Sequence, residues 1–276
     1  MSAATERPRR FRWTRWRRAS QLVFLLFFAC LPLTYFSGQT LVLGTMASLQ
    51  LGPIDLVDPA AGLSSMLAAR SASLSLAAGL ILPLLLALTL GPVFCAWVCP
   101  WGLVAELVDK VKRRWVKPNH HKVRRLRWTV LALVMAASLL SGAAVAATIS
   151  APRLLTSLPM EIIFLGGASV STLGLIGAVL VLELALPRRL WCRALCPVGS
   201  VLTLLRTPRT VTVGWTRSTC DPKACGTRCV ANCPWYLDPR HMGAFDGCTN
   251  CGRCVEECPS APAPSLGFVS GRRTGS

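Results

Sequence analysis

The sequence has few acidic residues and almost no histidine. Among its 276 residues, 12 are Asp or Glu and three are His, whereas 30 are Lys or Arg, which gives a formal net charge of +18. No histidine lies in an apolar run, and the chain has no C-x2-C-H motif, so we expect neither a heme between helices nor an attached heme. His120 and His121 are adjacent in a basic segment, where we expect them to be solvated.

Charge and hydropathy together indicate a membrane protein. Hydrophobic residues make up 53% of the chain, and the mean hydropathy is +0.50. The basic residues lie beside apolar runs rather than in a separate tail, so they predict membrane topology and not nucleic-acid binding. We therefore expect membrane lipid, and no nucleic acid, as a partner.

Four apolar runs are long enough to cross a bilayer core, which takes about 20 residues of helix. The predicted transmembrane helices are 21–43, 72–90, 128–149 and 164–186. Small residues are frequent in the third and fourth runs, and they allow membrane helices to pack closely.

Basic residues are concentrated in alternate segments between these runs. Residues 1–19 contain seven Lys and Arg, residues 91–127 contain nine and the segment after Pro187 contains twelve, but 44–71 and 150–163 contain one each. Because Lys and Arg are enriched in cytoplasmic loops, both termini and the second of these segments are predicted to be cytoplasmic. The sequence thus predicts a multi-pass protein of the bacterial inner membrane.

The C-terminal part contains a ferredoxin-type cysteine motif. Its spacing, C-x2-C-x2-C-x3-C-P, is the bacterial ferredoxin pattern for an iron–sulfur cluster. The four cysteines are Cys248, Cys251, Cys254 and Cys258. Thiolates also hold zinc, but zinc sites usually separate their cysteine pairs by about a dozen residues or more. The spacing therefore favours a cluster.

A second cysteine group precedes this motif. It consists of Cys220, Cys225, Cys229 and Cys233. It ends in the same C-x3-C-P, but its first two intervals have four and three residues. We interpret residues 210–265 as a ferredoxin-type domain in which these eight cysteines bind two [4Fe–4S] clusters. The alternative is one cluster beside a degraded motif.

Two further cysteine pairs follow the second and fourth apolar runs. They lie in the cytoplasmic loop 91–127 and in the connector 187–209, both in the form C-x3-C-P-x-G, and are Cys95 with Cys99 and Cys192 with Cys196. Cysteines at i and i+4 share one face of a helix, so the pairs could hold a cluster or metal together or act as redox-active thiols. Interfacial anchoring by the neighbouring tryptophans is the alternative.

Two residues within the apolar runs also have specific expectations. Cys30, in the first run, is predicted to be a packed thiol. Glu183, in the fourth run, is a carboxyl inside a predicted membrane helix, which indicates either a functional group or a partner of an arginine such as Arg188.

These features predict a membrane all-α fold. After a basic N-terminus, 1–20, four transmembrane helices form two repeated pairs, each pair ending in a cysteine motif. A small cytoplasmic two-cluster ferredoxin-like domain follows, and residues 266–276 form a tail.

The motifs together resemble the NapH/MauN family of ferredoxin-type integral membrane proteins. The resemblance covers nearly the full chain, and it includes Arg-Arg-Ala-Ser-Gln at 17–21, both C-x3-C-P pairs and the motif from Cys248 to Cys258. In the group from Cys220 to Cys233 the family's usual spacing is stretched.

The resemblance implies electron transfer at the cytoplasmic membrane through two [4Fe–4S] clusters. Electrons would enter from the quinone pool, with quinol as substrate. They would leave towards a periplasmic redox enzyme system through a ferredoxin-type or cytochrome c-type partner, as in the quinol dehydrogenase component of nitrate reduction. Electron transfer or maturation in methylamine utilization is the other branch of the family. From the residues alone, a zinc-binding membrane scaffold also stays open.

Overall fold

The structure, a computed structural model, describes residues 12–36, 42–112, 122–186, 189–215, 228–243, 245–257 and 266–269. These residues are mostly helical, and they include two small antiparallel sheets. The expectations for Cys220, Cys225, Cys258 and the two histidines of the basic loop lie outside the described residues.

The helices and strands occur in the following order. The helices are α1 (Trp13–Phe36), α2 (Pro59–Ala69), α3 (Leu74–Leu90), α4 (Val93–Trp97), α5 (Trp101–Lys112), α6 (Lys122–Ser141), α7 (Val145–Thr148), α8 (Ala151–Leu165), α9 (Val170–Ala185), α10 (Pro197–Leu204), α11 (Arg228–Ala231) and α12 (Arg253–Glu257). A π-helical segment, Trp191–Leu195, precedes α10. The strands are β1 (Val42–Thr45), β2 (Ser48–Leu51), β3 (Ile54–Val57), β4 (Thr212–Trp215) and β5 (Leu266–Val269).

Four of these helices, α1, α3, α6 and α9, overlap the four predicted spans, with different ends. The first predicted span extended to residue 43, but α1 ends at Phe36 and a strand begins at Val42. The third extended to residue 149, but α6 ends at Ser141, because Gly142 adopts a left-handed conformation with φ of 67°.

The segment 44–71, between the first two predicted spans, contains regular secondary structure. It contains most of a three-stranded antiparallel sheet, β1-β2-β3, followed by α2. In this sheet Val42 pairs with Leu51 and Ser48 with Val57. The third strand packs against α3, and α2 packs against α6 and α10. The all-α prediction therefore missed a sheet that is folded into the helical body.

The predicted loop 150–163 is also helical. It forms most of α8, which packs against α1 and α9. Pro152 stands near the start of this helix, where its missing N–H leaves no hydrogen bond unmade. Gly166 ends it with φ of 73°.

The largest hydrophobic core surrounds the two C-x3-C-P motifs. Trp101, Leu154, Trp191 and Leu202 are buried there, together with Cys99 and Cys196. A second core lies in the C-terminal part, where β4 and β5 pair and Val213 packs with Cys229 and Met242.

One segment of the described chain, Trp13–Thr34 in α1, is both long and apolar enough to cross a membrane. The apolar helices α3 and α9 have 17 and 16 residues. At 1.5 Å of rise per residue they are roughly 25 Å long, slightly less than a bilayer core. The four-span topology and its orientation stay predictions.

Candidate functional site

The second cysteine of each C-x3-C-P motif lies at the approach to a helix. Cys196 directly precedes α10, whose first residue is Pro197, and Cys99 is followed by Pro100 and then by α5. Proline is favoured at a helix start because no backbone N–H is needed there. The N–H groups of Val198 and Gly199 oppose the rise of the pKa of Cys196. A helix N-terminus favours negative charge, so this position suits a thiolate.

The first motif repeats this arrangement. The N–H groups of Trp101 and Gly102, at the start of α5, oppose the rise of the pKa of Cys99. The N–H of Ala151, at the start of α8, acts on Cys196 in the same way. Backbone N–H groups from three helices thus favour the thiolate form of two cysteines.

The glycine of each motif makes room for the cysteines. A Cβ atom on Gly199 would lie 3.2 Å from the carbonyl oxygen of Cys192 and 3.8 Å from Sγ of Cys95. On Gly102 it would lie 2.3 Å from Nε2 of Gln21 and 3.3 Å from the carbonyl oxygen of Cys95. The glycine of each motif is therefore needed because the backbone of the motif's own first cysteine passes close to it, and at Gly102 also because Gln21 of α1 does.

All four cysteines of the repeated motifs line one cavity, here called the first cavity. Its walls include Cys95, Cys99, Cys192 and Cys196 together with Arg17, Trp101 and Arg189. The structure thus brings together two pairs of cysteines that are about a hundred positions apart in sequence.

The thiols of the first cavity are strongly desolvated. Burial raises the pKa of Cys99 to about 12, against the effect of its two backbone donors. Burial also raises the pKa of Cys95, Cys192 and Cys196. Four thiolates are stable in such a place only with a positive partner, because the charged form is penalised by burial.

The first cavity also contains N–H donors without acceptors. Among the described residues, Nε1 of Trp101 and Nη2 of Arg189 are buried and have no hydrogen-bond partner. Buried donors are normally satisfied. An anionic group with acceptor atoms, such as an iron–sulfur cluster with its thiolate ligands, would satisfy them.

A second cavity lies in the C-terminal part. It is lined by Cys233, Cys248, Cys251 and Cys254, with Val213 and Met242 among its apolar walls. Three of these cysteines belong to the motif that runs from Cys248 to Cys258. Cys233 belongs to the group that precedes this motif in the sequence. This is the sharing expected when the cysteine before proline serves the other cluster.

The two cavities share a wall. Cys251 lines both of them, as do Pro234, Trp235 and Thr249. The cysteines of the two C-x3-C-P pairs and the ferredoxin-type cysteines are therefore neighbours in the fold.

Asn250 fixes the C-terminal part to the helical body. Its Nδ2 donates to the carbonyl oxygens of Leu90, at 3.2 Å, and Val211, at 2.6 Å. The backbone carbonyl oxygen of Asn250 accepts a hydrogen bond from Nε1 of Trp97 at 3.1 Å. Asn250 has φ of 51°, a left-handed conformation that asparagine tolerates better than most residues.

The start of α1 holds both parts together. Oγ1 of Thr14 donates to Oε2 of Glu256 at 2.6 Å, and Trp13 stacks edge-on against Trp97 and Phe268. These contacts explain why the chain begins its first helix before the apolar run that the hydropathy marks.

The Arg-Arg-Ala-Ser-Gln segment has a structural role in the same region. Arg17 and Arg18 form ion pairs with the buried carboxylate of Glu106. Nε2 of Gln21 donates to the carbonyl oxygen of Cys99 at 3.0 Å, and Oγ of Ser20 donates to that of Trp97 at 2.8 Å. Glu106 was not predicted as the partner of this segment. It is one of few acidic residues in a strongly basic part of the sequence, and this isolation could have indicated an ion pair with arginine.

Two isolated expectations have clear outcomes. Cys30 is exposed on α1, so the prediction of a packed thiol is wrong. Glu183 is buried, and its Oε2 accepts from the N–H of Trp191 at 3.1 Å. This carboxyl fixes the start of the π-helical segment that carries Cys192.

The cysteine sets suit iron–sulfur clusters. The four cysteines of the repeated motifs line the first cavity, and Cys233, Cys248, Cys251 and Cys254 line the second. Thiolates are also the usual ligands of such clusters.

Comparison with known families supports this chemistry. A family described as "4Fe-4S binding domain" matches residues 72–118 and 168–211. Each matched segment contains one apolar helix and one C-x3-C-P pair, so the match falls on the two repeats.

Several curated relatives are ferredoxin-type proteins. The "Methylamine utilization ferredoxin-type protein MauN" of Methylorubrum extorquens is 31% identical over 94% of this chain and 79% of its own. The "Ferredoxin-type protein NapH" of Haemophilus influenzae is 30% identical over 88% and 85%, and that of Escherichia coli is 29% identical over 91% and 88%. The chain belongs to the NapH/MauN family.

Membership confirms the resemblance that the motifs predicted. The chain is a ferredoxin-type iron–sulfur electron-transfer protein of the NapH/MauN family. No solved structure matches it.

Proposed function

We propose that the protein is a membrane-bound carrier that passes electrons from quinol towards a periplasmic redox enzyme system. The observation that carries the proposal is the wall shared by the two cysteine-lined cavities, in which Cys251 takes part. Redox groups in adjacent cavities would be close enough to exchange electrons.

The surface of the helices supports a membrane location. On α3, Ile81, Leu82 and Leu85 are each more than half exposed, and on α9 the same holds for Val181 and Leu184. Large contiguous apolar surfaces are rare in water-soluble monomers. We infer that these helices cross the bacterial inner membrane, with both termini in the cytoplasm.

In the C-terminal domain, the proposed ligands form two sets. Cys248, Cys251 and Cys254 with Cys233 would hold one [4Fe–4S] cluster, because these four line the second cavity. The remaining cysteines of the two motifs, Cys220, Cys225, Cys229 and Cys258, would hold the other, following the shared-cysteine pattern of two-cluster ferredoxins.

In the first cavity, Cys95, Cys99, Cys192 and Cys196 are proposed as ligands or redox thiols. A bound cluster supplies one-electron transfer at a potential set by hydrogen bonds and solvent access. The chain's own contribution is to bury the sulfurs and to direct N–H groups of α5, α8 and α10 at two of them. Both effects tune a redox group.

The relatives cover both known branches of the family at nearly equal identity, 31% and 30%. We therefore propose the shared step, electron transfer between quinol and a redox partner of ferredoxin or cytochrome c type. Involvement in nitrate reduction or in methylamine utilization would differ in the partner rather than in the cysteine sites.

Metal analysis of anaerobically purified protein tests the proposal. Two cubanes give about eight iron and eight acid-labile sulfide per chain, and a further cluster in the first cavity gives about twelve, since each cubane has four. Cys254→Ser should remove the spectroscopic signal of one cluster. Cys30→Ser is the matched control, because Cys30 is exposed and remote from both cavities. Zinc in place of iron would contradict the proposal and support the zinc-scaffold alternative.

A further inference from the structure

A third, apolar cavity lies beside the first. It has a volume of about 350 Å³, within the range of small-molecule sites. Phe24 and Phe28 of α1, Met46 of the turn between β1 and β2, Leu49 of β2, and Leu86 of α3 are among its walls. The sheet that the sequence analysis missed therefore forms one side of it.

The mouth of the third cavity lies on the apolar outer surface of α3. Leu82 and Leu86 line the cavity and are 51% and 50% exposed. Pro83 lies between them and cannot donate the usual backbone hydrogen bond. An apolar molecule in the bilayer could therefore enter sideways.

Among the described residues that line this cavity, Asp58 is the only acidic or basic one. Its Oδ2 accepts from the N–H groups of Ala60 and Ala61, both at 3.1 Å, and so caps α2. No other described residue hydrogen-bonds to this side chain, so Oδ1 remains available to a ligand. Burial raises the pKa of Asp58 to about 6, against the effect of the two N–H donors.

The third cavity adjoins the first. Phe94 lines both cavities, and Val98 of the third precedes Cys99 of the first. Burial is the main reason for the raised pKa of Cys95, Cys99 and Cys196, and the charge of Asp58 adds to it in each case. A molecule bound in the third cavity would thus lie beside the cysteine-lined cavity.

We propose that the third cavity binds the ring of a quinol and that Oδ1 of Asp58 accepts a hydrogen bond from one ring hydroxyl. This assignment rests on the proposed function, which makes quinol the electron donor. A quinol combines a flat apolar body, an apolar tail and hydroxyl donors, and the cavity offers apolar walls, an opening to the proposed bilayer and one free acceptor. A lipid acyl chain would leave that acceptor unused.

The substitution Asp58→Asn tests the hydrogen bond without removing the helix cap. Asparagine caps helices as well as aspartate does, through its amide oxygen. Its amide nitrogen would then face the cavity and could donate but not accept. We expect binding of a short-tailed quinol to weaken about 10- to 100-fold, as for the loss of a hydrogen bond to a charged group. The matching quinone, which has carbonyl acceptors, should retain its affinity.

The substitution Leu82→Trp tests the location. Tryptophan should close the mouth of the cavity and weaken both ligands. Leu85→Trp is the control, because Leu85 lies on the same helix with 54% exposure but does not line the cavity. Dissociation constants would be measured by titration of the full-length protein in lipid nanodiscs, under anaerobic conditions and with iron determined in each sample.

Three results would overturn the site. The first is an unchanged quinol affinity in Asp58→Asn, and the second is an equal weakening by Leu82→Trp and Leu85→Trp. The third is that a fatty acid displaces bound quinol equally well from wild type and from Asp58→Asn. If these occur in samples with full iron, the electron-transfer proposal stands and the site is wrong. Absent iron with intact, Asp58-dependent quinol binding would instead contradict the proposed function and leave the site in place.

Discussion

The two cysteine-lined cavities hold their sulfurs in different ways. In the first, Cys99 and Cys196 stand at the start of helices within the largest core, and backbone N–H groups are directed at their sulfurs. In the second, Cys248 and Cys251 lie in non-helical chain around a small core with Val213 and Met242.

The difference teaches how each site depends on the rest of the fold. Ligands at helix starts are positioned by tertiary packing between segments far apart in sequence, so the first cavity exists only when the helices are assembled. Ligands in a short local motif are positioned mainly by the chain between them and by the cluster itself. We therefore expect a bound cluster to stabilise the second cavity more than the first.

The largest expected effect separates the two cavities functionally. Cys196→Ser should stop electron delivery, with a loss of more than about 100-fold, the upper range for removing a group that merely supports a metal ligand. The cluster signal of the second cavity should remain, because its cysteines are untouched. Electron delivery would be followed with quinol as donor and the signal by electron paramagnetic resonance.

Matched membrane levels of this variant and of Cys30→Ser provide the control for folding. Normal electron delivery by Cys196→Ser would show that the first cavity is structural. If Cys196→Ser also loses the cluster signal of the second cavity, the two cavities do not hold their redox groups independently of each other.

A smaller effect is expected at the ion pair of Glu106 with Arg17, which lines the first cavity. Burial opposes ionisation of Glu106, but the hydrogen bond from Arg18 and the charge of Arg17 lower its pKa to about 2. Glu106→Gln should reduce the free energy of unfolding by about 3 kcal/mol, because it leaves buried arginine charge unpaired. Thermal unfolding in detergent would measure the change.

The pH dependence of this effect has a defined sign. A carboxyl whose folded pKa is depressed stabilises the fold above its ordinary pKa of 4.5, and the contribution is lost as the pH falls towards 2. The difference in free energy of unfolding between wild type and Glu106→Gln should therefore shrink as the pH falls from about 4.5 towards 2. Glu257→Gln, at an exposed position on α12, should change little at any pH; a comparable loss there would remove the argument.

Local motifs were predictable from the sequence, whereas long-range placement was not. The Cys-Pro of each repeat indicates the start of a helix, and the ferredoxin spacing predicted that Cys248, Cys251 and Cys254 share a site. No pattern predicted that the sheet would place Asp58 in the wall of the third cavity, which adjoins the first. The strands there have four residues each, and the side chains of β2 are mostly exposed, so they lack the alternation that marks a half-buried strand.

The smallest expected effect tests why the repeated motif ends in glycine. Gly199→Ala should lower the free energy of unfolding by about 1–3 kcal/mol, because the new methyl group would press against the carbonyl oxygen of Cys192, at 3.2 Å. Gly174→Ala is the matched control, since a Cβ atom at Gly174, inside α9, meets nothing within 4 Å. That variant should be stabilised by up to about 1 kcal/mol through helix propensity. Thermal unfolding of the two variants should therefore shift in opposite directions. Equal shifts would mean that the backbone at Cys192 does not approach Gly199 closely, and that the glycine serves only the start of its own helix.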